Sequence, residues 1–353
     1  MKDYSINMNE SNKHIAYLSY IRAFACIAII VLHTYTMEAM YYRSEISVAS
    51  YAVTSCVAYM MMWAVPCFVM VTGALLLDTD KEISLKRLYG RYILRIFVVL
   101  IVFTVLFTIS DIIYDKEKLS VIGVIKRIGY KLYSGTSWAH MWYLYLIIGL
   151  YILLPAFRAL VKGFGLKELW YLLAVYFVFN SFIPMINQFS EAKIGFYITT
   201  NSIFPFYLIM GYMLSNNLIK LNMKLSVLLF LLGEAAIIII SILGIKNNSS
   251  DAVTLLGNYS FVPVVITSIG VFGIFRNLRL NNPNKFILLV DKLSFGIYLV
   301  HLGFLRYGIK SELINPYEKG GNIFIFVIAL IVFGLSFLLT FLLRLIPGVK
   351  KLL

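Results

Sequence analysis

The sequence is poor in charge. Only 14% of its 353 residues are Asp, Glu, Lys or Arg, against about 25% in soluble domains. That excludes a cytosolic globule and a charge-rich disordered chain. Cysteine is scarce too: Cys26, Cys56 and Cys67 all lie in apolar runs. An odd, buried set of this kind excludes a disulfide framework and reads as small hydrophobes. Acidic residues number 17 against 31 Lys and Arg, leaving a net charge of +14. In a soluble chain that excess would suggest nucleic acid. Here the basic residues fall between apolar runs, where topology and anionic lipid account for them, so no nucleic-acid partner is expected. Also missing are GxxxxGK(S/T), HExxH, GxSxG and any cysteine–histidine metal spacing. ATP-driven transport, zinc proteolysis and serine hydrolysis on those templates are thereby disfavoured, and neither a metal nor a permanently bound cofactor is expected.

What is present is hydrophobic: 61% of the residues, with mean hydropathy +0.85. Apolar windows fall near 17–38, 51–77, 91–114, 140–161, 169–185, 199–215, 225–244, 253–275, 285–309 and 323–346. Each is close to the roughly 20 residues that a spanning helix needs. Backbone groups in hydrocarbon must bond internally, and no alternating barrel pattern occurs, so the expected fold is all-α and polytopic, with about ten transmembrane helices. The first window follows sixteen mostly polar residues, is interrupted by Arg22 and lacks a small-x-small cleavage site, so it reads as a permanent span. With no repeat, low-complexity stretch or soluble segment, residues 1–353 form one integral-membrane domain. Placing both termini in the cytoplasm puts 18 Lys and Arg in inner segments and 11 in outer ones, which favours that orientation in the cell membrane. The segment 116–131 repeats Val121, Ile125, Ile128 and Leu132 beside Lys126, Arg127 and Lys131. It reads either as a helix lying on the outer surface or as a solvated loop.

Ionisable residues at membrane depth are costly and usually mark a site. His33 lies deep in the first window, His140 opens the fourth, and His301 is in the outer half of the ninth. Topology places all three in the outer half of the bilayer, where packed helices could gather them into one cavity. A histidine bonded to a neighbouring helix is the competing reading for His301, and an aromatic belt with Trp138 and Trp142 competes for His140. Arg22 and His33 are 11 residues apart, three turns along one helix face and about 16 Å. An arginine near the cytoplasmic end can fork a phosphate while a histidine further in meets the reactive end of an extended ligand. A pantetheine arm spans that distance, so acyl-CoA suits the pair better than a compact nucleotide. Arg87, Arg91 and Arg95, with Lys86, recur every four residues, a stripe able to grip further phosphates or simply a positive-inside helix end. Glu38 sits about one turn above His33, either tuning it, contacting an acceptor or capping a solvated helix end. Glu234 is mid-span beside Gly233, protonated in a bundle or lining a cavity.

The run Tyr17-Leu18-Ser19-Tyr20-Ile21-Arg22, continuing to Val31-Leu32-His33, resembles the opening helix of the membrane acyltransferase 3 family: an arginine, ten residues, then a histidine. Trp138-Ala139-His140-Met141-Trp142-Tyr143-Leu144-Tyr145 is similar to the family's fourth-span signature, and Ser294-Phe295-Gly296-Ile297-Tyr298-Leu299-Val300-His301 to its late-span motif. The resemblance implies O-acylation, usually acetylation, of a surface polysaccharide or lipid-linked glycan, with cytoplasmic acyl-CoA (acetyl-CoA) as donor. It makes His33 the catalytic histidine and Arg22 a donor-binding residue. The family often separates two third-span arginines by two residues, whereas three residues separate Arg87, Arg91 and Arg95 here. His140, Trp142, Tyr298 and His301, with Glu38, are candidates for the acceptor side and the oxyanion.

The expectation is therefore an integral-membrane O-acetyltransferase whose partners are acyl-CoA, a surface glycan and the bilayer. The alternative is a secondary transporter or flippase for a small solute or lipid-linked sugar, against which the lack of matching half-repeats speaks. The orientation makes a first prediction. A cysteine placed at Asn247 should react with an impermeant thiol reagent in intact cells and one at Asn281 should not; labelling at Asn281 would reverse the topology.

Overall fold

The computed structural model describes residues 10–79, 82–196, 202–247, 256–278, 280, 284–311 and 315–353. It is 81% helical, and no strand occurs among the described residues. The principal helices are α1 (Glu10–Tyr41), α2 (Val48–Met60), α3 (Ala64–Leu76), α4 (Leu94–Tyr114), α5 (Val121–Ser134) and α6 (Trp142–Gly163). They continue as α7 (Leu166–Phe177), α8 (Phe204–Ser215), α9 (Met223–Lys246), α10 (Val262–Asn277), α11 (Lys285–Lys310) and α12 (Asn322–Leu343), followed by α13 (Pro347–Leu352).

Every expected apolar window carries helix. Among the described residues, eight helical segments are long and apolar enough to cross a membrane: Ala16–Tyr41, Val48–Leu76, Leu85–Tyr114, Ala139–Gly163, Leu166–Phe189, Met223–Gly244, Lys285–Lys310 and Asn322–Leu343. Phe204–Ser215 and Val262–Asn277 are apolar but shorter. The expected windows for those two, 199–215 and 253–275, begin in residues outside the described set. Asn281, the inner labelling position, also lies outside it. The second segment is two helices, α2 and α3, separated by the turn at residues 61–63.

The chain forms two compact units. Met1–Asp78 joins Phe164–Leu339 in the first; Thr79–Gly163 joins Thr340–Leu353 in the second. In the first unit α1 is the most enclosed candidate span. Its small residues explain why: Ala23, Ala25 and Ala28 are buried beside Ile21, Ile29 and Ile30, and small side chains let neighbouring helices approach closely where lipid offers no hydrophobic drive. α9 and α12 differ. Leu228, Leu231, Leu232, Ile239 and Ile242 on α9, and Leu330, Ile331, Leu335 and Leu338 on α12, are exposed, which is the composition of a lipid-facing stripe.

Among the described glycines, the closest backbone approach is between α3 and α8. A Cβ on Gly73 would stand 1.8 Å from the Leu208 carbonyl oxygen, and one on Gly211 would stand 2.0 Å from that of Met70. Both glycines are therefore required by backbone contact across the two helices, not by a turn.

In the second unit, α5 is a formed helix where the sequence allowed a loop. The Ser120 hydroxyl caps it by accepting from the Gly123 N–H at 3.2 Å, and Gly135 ends it at φ +67, a left-handed conformation that glycine adopts without strain. Val121, Ile122, Ile125 and Tyr133 are exposed on it, while Lys131 pairs with Asp111 at 3.2 Å and Arg127 with Glu117 at 2.7 Å.

The glycine contact yields a second prediction. Gly211→Val forces α3 and α8 apart, an overpacking that costs about 1–3 kcal/mol, and should lower the thermal midpoint of detergent-purified protein by several degrees. Gly149→Ala, where a Cβ meets nothing within 4 Å, should leave it unchanged. Equal midpoints for the two variants would refute the close-packing account.

Candidate active site

Arg22, Cys26 and His33 follow one face of α1 at i, i+4 and i+11. Asp291, Ser294, Tyr298 and His301 follow one face of α11 at i, i+3, i+7 and i+10. The two faces meet in order. The Arg22 guanidinium donates from Nε to Asp291 Oδ1 at 2.5 Å and from Nη2 to Oδ2 at 2.8 Å. One turn on, the Cys26 thiol points at the Ser294 carbonyl at 3.7 Å. Two turns beyond that, His33 Nδ1 lies 2.7 Å from His301 Nε2. Both chains advance in the same direction through these contacts, so α1 and α11 run parallel and in register. The rise from Arg22 to His33 is about 16 Å and that from Asp291 to His301 about 15 Å, which is why the pairs at both ends can form together.

The imidazoles are nearly parallel and meet edge to edge, with ring centroids 5.0 Å apart and an interplanar angle of 5°. His301 is fully buried at 0% exposure, and its Nδ1 lies 2.6 Å from the Tyr298 carbonyl oxygen of its own helix. His33 is only partly buried. Of the two rings, His33 is thus the one a ligand can reach.

Arg22 sits where the sequence reading put it, three turns below His33, but its fork is already filled. Asp291 holds the Nε–Nη2 edge, leaving the Nη1 edge for an anion. Asp291 was missed in the sequence, although an arginine inside an apolar window requires a counter-charge. An aspartate ten residues before His301 was the signal.

The other candidates have contacts of their own. Glu38 is buried, and its Oε2 has no hydrogen-bond partner among the described residues. It lies five residues beyond His33, about 140° round the helix, and no contact joins the two among the described residues. Three residues back on α1 the Tyr35 hydroxyl donates to the Asn322 carbonyl at 2.6 Å, and on α2 Thr54 donates to Asn322 Oδ1 at 2.9 Å. Tyr317 donates to Thr54 at 3.3 Å; burial pushes that phenol above its usual range, against the opposing pull of the Thr54 hydrogen bond. Glu234 is buried near Cys56, and neither of its carboxyl oxygens has a hydrogen-bond partner among the described residues.

His140 and Trp142 belong to the second unit. His140 is buried, and its ring centroid is 5.6 Å from that of Phe107, which stacks on Trp138 at 3.9 Å. The Trp138 indole N–H donates to Asp111 at 3.1 Å. Trp142 makes an edge contact with Tyr143 at 6.2 Å. Arg87, Arg91 and Arg95 are exposed in the same unit, but Leu88–Ile93 is a π-helical turn. The extra residue in such a turn shifts the register, so a four-residue repeat does not make one straight α-helical stripe here. Arg87 lies over Tyr92 at 5.9 Å, and Arg95 donates to the Leu352 and Leu353 carbonyls at 2.9 and 3.1 Å.

A family model described as an acyltransferase domain, that of the acyltransferase 3 family, matches residues 15–344. The chain belongs to the acyltransferase 3 family. It is a multi-pass membrane acyltransferase. Comparison with curated proteins and with solved structures finds no significant match. The family match runs through both compact units and includes α1 and α11, the helices that carry the Arg22–Asp291 and His33–His301 pairs.

The ion pair gives a third prediction. Asp291→Asn leaves Arg22 partly buried without a counter-charge and should destabilise the protein by about 1–3 kcal/mol, read as a lower thermal midpoint. The exchanged pair Arg22→Asp with Asp291→Arg should recover most of that loss. A double variant no more stable than the single one would show that the contact is not what joins the helices.

Proposed function

We propose that the protein transfers an acyl group, most simply acetyl, from cytoplasmic acyl-CoA to a hydroxyl of a cell-surface polysaccharide or lipid-linked glycan, with both termini in the cytoplasm of the plasma membrane. The observation that supports this reading is the continuous face from Arg22 to His33. It offers one basic group with an unused N–H edge and, three turns further along, a reachable imidazole braced by a buried one. That spacing suits a phosphate-bearing donor whose thioester lies at the end of an extended pantetheine arm.

In this reaction the donor phosphate takes the Nη1 edge of Arg22 that Asp291 leaves open. The acceptor hydroxyl approaches from the outer side. The bare ring nitrogen of His33 removes its proton as the oxygen attacks the thioester carbonyl. The C–O bond forms, the C–S bond breaks, and the thiolate takes the same proton back from His33 as CoA leaves. Atoms and charge balance without a further reactant: alcohol plus acyl thioester gives ester plus thiol. Within the second unit Arg87 and Arg91 are exposed basic residues, whereas the Arg95 guanidinium is engaged by main-chain carbonyls.

The test follows release of free CoA from acetyl-CoA by purified protein in nanodiscs supplied with surface glycan. Wild type should release CoA in a glycan-dependent way. His33→Ala should lose about 10²–10⁴-fold in turnover, the range expected for a general base, with donor binding retained. Arg22→Ala should raise the donor KM about tenfold or more, as loss of a charge-assisted phosphate contact does. Folded wild type that binds no acyl-CoA would sink the reading and favour a transporter of a solute or lipid-linked sugar.

A further inference from the structure

His33 and His301 both offer two ring nitrogens, and which of them carries hydrogen decides whether His33 can act as a base at all. The contacts of the pair settle that question for neutral rings. A backbone carbonyl can only accept, so the 2.6 Å contact between His301 Nδ1 and the Tyr298 oxygen requires Nδ1 to carry the hydrogen. A neutral imidazole has one N–H, so His301 Nε2 is then an acceptor. The 2.7 Å contact with His33 must therefore be donated by His33 Nδ1. His33 Nε2 is left as a bare lone pair, and no hydrogen-bond partner engages it among the described residues. The order is Tyr298 carbonyl, His301, His33, each step fixing the next.

We propose that His301 is a positioning residue which locks His33 in the tautomer that presents Nε2 as the reacting nitrogen. The proposal rests on the acyltransferase reading of His33 and deepens it. His301 itself is fully buried and touches neither donor nor acceptor; it acts through its neighbour, as the orienting member of a catalytic triad does. Two features separate this role from ordinary packing. The rings are nearly coplanar and meet nitrogen to nitrogen, with 5° between their planes, so His33 has a defined edge as well as a defined position. The carbonyl that fixes His301 lies on the same helix, three residues back, so the contact that sets the tautomer is made within α11 itself.

The experiment compares wild type with His301→Phe and His301→Gln. Phenylalanine keeps a flat ring of similar size and removes the acceptor; the glutamine amide oxygen can still accept from His33 Nδ1. The first readout is ¹⁵N solid-state NMR of histidine-labelled protein in nanodiscs at pH 8, with His33 assigned by His33→Ala. Wild type should show His33 protonated at Nδ1 and bare at Nε2. His301→Gln should keep that pattern, and His301→Phe should lose it. The second readout is turnover in the CoA-release assay. His301→Phe should lower kcat by about 100-fold or more with the donor KM within about twofold, because wrong-tautomer general bases lose factors of this order or larger. His301→Gln should stay within about tenfold of wild type.

Wild-type His33 protonated at Nε2 would overturn the proposal. So would a His301→Phe protein that keeps both the Nδ1–H tautomer and wild-type kcat, or a His301→Gln protein as impaired as His301→Phe in both readouts. If wild type releases no CoA, the acyltransferase reading fails on that result alone. The NMR comparison still decides the tautomer, so the two failures are told apart.

Discussion

A guanidinium and a carboxylate cannot rest singly in hydrocarbon, and the first compact unit is organised by that constraint. Arg22 and Asp291 satisfy each other through two hydrogen bonds, and in doing so they fix the register of two helices that lie far apart in sequence. Once α1 and α11 are aligned at that level, the similar rise of both helices brings His33 opposite His301 some three turns on. A slip of one residue on either helix would turn the partner by about 100° and break both pairs at once. The ion pair thus does at one end of the seam what the histidine contact needs at the other. Its net energy is modest, since desolvation offsets much of the Coulomb gain. Its value lies in specifying one register among several that the apolar residues alone would accept.

Much of this seam was legible in the sequence, because it depends on spacing along a single helix. Arg22 and His33 at i and i+11 fall on one face of any α-helix, and the structure keeps them there. His301 was visible as an intramembrane histidine, but its partner was not, since nothing in either helix alone declares which neighbour it faces. Asp291 was the readable residue that went unread: an isolated arginine inside an apolar window already implies an acid elsewhere in the bundle.

Where the sequence fell short, the reason is a departure from ideal α-helix geometry or a contact made by distant chain. The stripe Arg87, Arg91 and Arg95 assumes 3.6 residues per turn throughout, and Leu88–Ile93 does not follow it. Arg95 is drawn to the carbonyls of Leu352 and Leu353, a contact no local pattern encodes. Glu38 is one turn or so above His33 along the axis, yet on a different face, so height alone misleads. Hydropathy also does not mark where a helix starts: Phe261 is apolar and buried yet extended, immediately before the first turn of α10.

The chemistry of the His33–His301 pair follows from the same solvent constraint. A histidine base in a water-filled cleft is commonly oriented by a carboxylate, which also stabilises the imidazolium that forms. Inside a bilayer a second buried carboxylate would carry its own desolvation cost and demand its own counter-charge. A neutral imidazole whose hydrogen is committed to a backbone carbonyl gives the same directional acceptor without adding charge. The cost is that a protonated His33 gains less stabilisation than it would beside an anion. A mechanism at such a site therefore runs best when the proton does not linger on the ring, with removal from the acceptor hydroxyl and delivery to the departing thiolate closely coupled. That coupling requires donor and acceptor to be present together at one nitrogen, which is why the identity of the bare nitrogen carries more mechanistic weight here than the basicity of the ring.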